Sequence, residues 1–203
     1  MMNKKFLYTL LALVLMTASV SAQRLSKETQ SDITKTVAAF IKSTINNDYE
    51  GVLKHTYPKL FTMASKEDML ASLQGMEAMG LHMLVDEMGI KRIEALHETE
   101  KDQYALVNYT TKMRIGLSGQ LAEPNAMASM EESFKNTYGK DNVSFDEENK
   151  QFNVSGEKFM VLIKEEAYGP EWYIMEWNDE IPEVISALLS KEVIEKATKR
   201  IKP

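Results

Sequence analysis

The chain contains no cysteine. That excludes disulfides, thiol nucleophiles, iron–sulfur clusters and thiolate zinc sites, and it leaves stability to the burial of apolar surface. Beyond the N-terminal leader there is no uncharged apolar stretch of the ~20 residues that a bilayer span needs. No run of Lys or Arg exceeds two residues, and acids outnumber bases 30 to 24. An acidic surface repels phosphate backbones, so nucleic acid is not an expected partner. No fixed-period repeat, low-complexity segment, H-E-x-x-H, G-x-S-x-G, P-loop, dinucleotide glycine fingerprint or EF-hand order occurs. No cofactor and no metal site are expected from these patterns.

What is present begins with an address. Lys4 and Lys5 precede the apolar run Phe6 to Met16, and Val20, Ser21 and Ala22 place small or modest residues before Gln23. This is the pattern of a secretory signal peptide spanning 1–22, cleaved to leave a single domain over 23–203. No cysteine follows the cleavage point, so lipid attachment there is closed and no stable membrane insertion is expected after cleavage. The trimmed chain loses two lysines and keeps all 30 acids, for a formal charge of −8. The expected location is the periplasm or the outside of the cell.

Periodicity divides that domain. Ile33, Val37, Phe40, Ile41 and Ile45 recur at helical steps behind Ser26, a capping residue. Asn46-Asn47-Asp48 ends this helix, and a short second one runs to the region of Pro58. Ser65 caps a third, with Met69, Leu70, Leu73 and Met76 as its apolar face. Residues 81–96 read as a strand with a kink at Gly89. Residues 103–115 alternate cleanly: Ala105, Val107, Tyr109, Thr111, Met113 and Ile115 on one face, Tyr104 to Arg114 on the other. A helix from Pro124 and a hairpin, 143–145 with 152–154, read as an insertion over 116–155. A central strand at 159–163, an aromatic strand at 172–177 and a final helix from Pro182 complete the chain. Helices set apart from an antiparallel sheet define the α+β class.

Four segments, DITKTVAAFIKSTINNDYEGVLKHTYP, SKEDMLASL, QYALVNYTTKMRI and EWYIMEW, give an order that resembles the nuclear transport factor 2-like superfamily. The resemblance covers roughly residues 28–178 apart from the insertion, and it is one of pattern and order without a signature motif. It implies a cone: a curved antiparallel sheet packed on the N-terminal helices, with a pocket between them. Members use that pocket as isomerases, dehydratases or hydrolases, or to bind ligands and partners. The tyrosine–aspartate pair of the steroid-isomerase branch does not map onto this chain, so the resemblance carries over no catalytic residue.

Candidate chemistry is sparse. His55, His82 and His97 are far apart in sequence. His82 and Asp86 lie four apart, which on a strand is roughly 13 Å and too far to pair. Tyr49, His55 and Tyr57 cluster at the end of the first helical unit, and Tyr109 and Met113 share a face of the long strand. In a cone these five form a candidate ligand-binding set. Eleven of the 14 methionines follow the leader, six of them between Met63 and Met88. Thioethers fill irregular cores and also line adaptable binding surfaces. Three Asn-x-Ser/Thr patterns, at Asn108, Asn142 and Asn153, read as chance in a bacterial exported protein. The leading expectation is an exported, non-enzymatic domain that binds a small apolar or amphipathic ligand, or an envelope protein, through a concave pocket. The alternatives are an acid–base enzyme, an isomerase or hydrolase using pocket Tyr, His or carboxylate, and a structural subunit that forms a homodimer.

Overall fold

The computed structural model describes residues 25–202; the segment read as a signal peptide, 1–22, lies outside them. Helix α1 (Lys27–Ile45) starts where the Ser26 hydroxyl accepts a hydrogen bond from the Thr29 amide, with Glu28 against the positive end of the helix dipole. It ends at Asn46, and Asn47 takes a left-handed conformation (φ 52°) that asparagine tolerates better than most residues. Asp48 then caps α2 (Tyr49–His55) through the Gly51 amide. Ser65 caps α3 (Lys66–Ala78) through the Asp68 amide.

Two long strands follow, β1 (Leu81–Glu98) and β2 (Asp102–Leu117). Next come α4 (Pro124–Tyr138), β3 (Val143–Asp146), β4 (Gln151–Glu165) and β5 (Tyr173–Glu176), then helices α5 (Pro182–Leu188) and α6 (Lys191–Ile201). The result is an α+β fold with a curved, five-stranded antiparallel sheet. Its order is β1–β2–β4, and β3 and β5 share the far edge of β4. β3 pairs with residues 151–154 and β5 with 160–163. Residues 155–159 of β4 are left without a strand partner on that edge, which makes a notch.

Three local readings differ from the sequence pattern. Gly89 pairs regularly with Thr110; the irregularities of β1 flank it, between Val85 and Glu87, Ile90 and Arg92, and Ala95 and His97. A bulge needs one extra residue rather than a glycine, and each bends and twists the strand locally. The segments 152–154 and 159–163 are one continuous strand, so the helix-hairpin segment shares β4 with the main sheet. The stretch 155–158 reads as a break because it is polar and contains Gly156, yet every residue of it pairs with β2. Glycine suits that place because a Cβ would lie 3.2 Å from the Tyr138 ring. The C-terminal helix is two helices, the second started by the Ser190 hydroxyl accepting from the Val193 amide.

β2 and β4 pair without a register shift, so their side chains alternate strictly between faces. On one face Ala105, Val107, Tyr109, Met160 and Leu162 pack against Ile33, Val37 and Phe40 of α1. Farther along the same face, Met113, Ile115, Phe152 and Val154 take Met127, Met130 and Phe134 of α4. On the opposite face Tyr104, Leu106, Val161 and Ile163 are covered by α5 and α6 through Ile185, Leu188, Val193 and Ala197. Each fully buried Val, Leu or Ile contributes about 1.5–3 kcal/mol. α3 and α4 contribute less of this, since neither has a fully buried side chain. The apolar residues of α3 are half-buried and join none of the three clusters. No helix of the described residues is long and apolar enough to cross a membrane.

Candidate functional site

The notch in the sheet edge gathers polar groups from four elements. Tyr109 of β2 lies directly opposite Lys158 of β4, and Glu176 at the end of β5 lies opposite Met160. Strand alternation places all three side chains on the face that carries α1 and α4. Tyr138, the last residue of α4, reaches the same place because Gly139 (φ 93°) turns the chain away immediately after it.

Tyr109 is buried (5 % exposed), and its hydroxyl donates to the two carboxylate oxygens of Glu176 at 2.9 and 2.8 Å. Glu176 itself is exposed, although protein atoms crowd it closely enough to penalise its charge. The crowding pushes the Glu176 carboxyl up, to about 7, against the downward pull of the Tyr109 hydrogen bond and the Lys158 charge. Burial, then the charge and hydrogen bond of Glu176, drive the Tyr109 hydroxyl far above its ordinary range. Burial first, then Glu176 and Glu180, raise Tyr138 as well. The Lys158 ammonium sits 4.8 Å from the centre of the Tyr138 ring, a cation–π distance.

Beside Lys158 opens a hollow of about 270 Å³, bordered by Thr137, Lys158, Phe159, Trp177 and Glu180. The Trp177 indole donates to Asp179 at 2.8 Å, and Thr137 donates to Glu180 at 3.0 Å, which steadies the rim. A second hollow, apolar and shallow, lies between α1 and β1 at Ile41, Ile45, Met88 and Ile90.

The five residues singled out from the sequence do not meet at one place. Tyr109 alone is in the notch. Met113 lies on the same face but packs in the α4 cluster. Tyr49 opens α2, half-buried, where burial and then Glu77 raise its hydroxyl. His55 closes α2, and burial followed by the Lys54 charge lowers its imidazole. Tyr57 is fully buried in the cluster on the opposite face of the sheet. Its hydroxyl donates to Glu165 at 2.7 Å, and Tyr104 donates to the same carboxylate at 2.6 Å.

Three members of the notch were not singled out: Glu176, Lys158 and Tyr138. One signal was available. Glu176 is the single acid inside the aromatic strand, between Met175 and Trp177. Nothing local marks Lys158 or Tyr138. Both remaining histidines are engaged elsewhere: His82 with the Ser118 hydroxyl at 3.0 Å, and His97 with Lys196 at 3.0 Å and Glu192 at 3.4 Å. Asp86 accepts from Arg114, so it forms no dyad with His82. Among the described residues no group of three His, Asp or Glu side chains is placed to hold a metal ion.

No protein-family model matches the chain, and no curated protein matches it.

Proposed function

We propose that the protein is an exported, non-enzymatic domain of the nuclear transport factor 2-like, cone-shaped type, and that it binds a small amphipathic ligand at the notch between α4 and β5. The observation that carries this reading is the Tyr109–Glu176 pair: a buried tyrosine bonded to the carboxylate of an exposed glutamate on the face that carries α1 and α4. Lys158, which faces the same side of the sheet as this pair, borders the hollow of about 270 Å³. Phe159 and Trp177 supply apolar surface at the hollow. Ligand sites combine such apolar walls with a few placed polar groups.

The test is an NMR titration with 1-hexanol that follows the Trp177 indole N–H, which borders the hollow. Saturable shifts in the wild type, abolished when Thr137→Trp fills the rim, are the expected result. Shifts absent up to the solubility limit, or unchanged in the filled variant, would sink the reading. Export is tested separately: the protein recovered from outside the cytoplasm should begin at Gln23.

One observation favours a second reading, that of an acid–base enzyme. A carboxyl raised to about 7 beside a tyrosine hydroxyl is suited to proton transfer near neutral pH. On that reading the protein catalyses α-deuterium exchange of a simple ketone such as cyclohexanone, and Glu176→Gln abolishes it. No exchange above the buffer rate leaves the binding reading alone.

A further inference from the structure

We infer that the polar group of the ligand is a carboxylate, taken by the Lys158 ammonium and the Tyr138 hydroxyl; this rests on the notch being the binding site. Both groups have unused hydrogen-bonding capacity. Among the described residues the Lys158 ammonium makes no ion pair and donates no hydrogen bond, and it rests against the Tyr138 ring. Some other cations of the chain pair with carboxylates, among them Arg114 with Asp86, Lys112 with Glu87 and Lys202 with Asp179. Lys158 feels Glu176 and Asp179 without pairing with either. The Tyr138 hydroxyl, at the end of a half-buried side chain, also has no hydrogen-bond partner among the described residues. An ammonium offers three donors and a phenol one, and a carboxylate offers two oxygens able to accept several hydrogen bonds.

The alternatives fit less well. An amine would bring a second positive charge to Lys158. An alcohol satisfies one donor and leaves the ammonium charge unanswered. A carboxylate makes charge-assisted hydrogen bonds, which are roughly twice as strong as neutral ones. The groups that oppose an anion here are Glu157, Glu176, Asp179 and Glu180, and Glu157 is paired with Lys91. Asp179 is already paired with Lys202 and the Trp177 indole, and Glu180 accepts from Thr137. Glu176 is the remaining one, and a proton on it removes its repulsion. Tyr109 and Tyr138, both with raised hydroxyls, stay neutral. At pH 6, below the value of about 7 of its carboxyl, Glu176 mostly carries that proton already.

Three ligands of equal chain length separate the possibilities: hexanoate, 1-hexanol and hexylamine, titrated into the full domain at pH 6 and followed by backbone amide shifts. Hexanoate is expected to bind about tenfold more tightly than hexanol, the scale of one charge-assisted contact, and hexylamine most weakly. Lys158→Met should abolish the preference for hexanoate over hexanol. Lys158→Arg should keep the preference. Tyr138→Phe should weaken hexanoate about threefold, and it supplies an independent check if the lysine variants fold poorly. Hexanol or hexylamine binding as tightly as hexanoate, or a preference that survives Lys158→Met, overturns the assignment. Should none of the three bind, the notch is no ligand site and both the assignment and the function it rests on fall.

Discussion

The Tyr109 hydroxyl lies 2.9 and 2.8 Å from the two carboxylate oxygens of Glu176, joining the second strand of the sheet to the fifth across 67 residues of sequence. The contact spans the width of β4, because Glu176 sits opposite Met160 and Tyr109 opposite Lys158. It exists only because β5 ends where the notch begins. Tyr109 is buried and Glu176 is exposed, so the pair joins the interior of the sheet to its edge.

That coupling has a pH signature. An ordinary glutamate titrates well below the value of about 7 reached by Glu176 in the fold. The folded protein therefore holds a proton that the unfolded chain has already lost over the window from about pH 4.5 to 7. Stability contributed by the protonated form is complete below that window and is lost as pH rises through 7. The melting temperature of Glu176→Gln, which mimics the neutral form, should match the wild type near pH 4.5 and exceed it increasingly up to pH 8. A gap that does not change with pH would refute the raised carboxyl.

Tyr109→Phe removes a hydroxyl from a buried position and takes the donor from Glu176. The expected cost is about 1–2 kcal/mol in urea denaturation. In the Glu176→Gln background the same change should cost less, since the bond lost is no longer to a charge. Equal costs in the two backgrounds would show that the pair is not energetically coupled.

Two glycines test backbone geometry against space. Gly80 adopts φ 94°, and a Cβ there would come within 2.3 Å of the Ser118 carbonyl oxygen. Gly119 also has positive φ (58°), but open space surrounds it. Gly80→Ala is expected to cost about 2 kcal/mol or more, and Gly119→Ala about 1 kcal/mol, the conformational penalty alone. Thermal melts of the two variants should rank in that order.

The loose packing of α3 predicts a contrast in core truncations. Leu162 is fully buried between α1 and the sheet, whereas Leu70 of α3 is half-buried and outside every cluster. Leu162→Ala should cost about 2–5 kcal/mol. Leu70→Ala should cost under about 1 kcal/mol. A large loss at Leu70 would mean that α3 is part of the core.

Local elements were legible from the chain alone. Ser26 and Ser65 mark helix starts because a cap bonds to an amide three residues away. The alternation from Tyr104 to Ile115 assigns each side chain to its face, since the pleat depends on nothing beyond the strand itself. The same logic put Tyr109 on a helix-bearing face. It failed where polarity imitates a break, at 155–158, and where a bulge has no residue signature, near Gly89.

Local periodicity determined the helices, the strands and the α+β class, because each depends on neighbours a few residues apart. Tertiary structure alone decided which groups meet. The sharing of one β4 edge by β3 and β5 opened the notch, sent Tyr57 to Glu165 on the other face, and brought Glu176, Lys158 and Tyr138 to Tyr109. Alternation along a strand tells a side chain which face it occupies; which charge waits there is a matter of register between strands far apart in sequence.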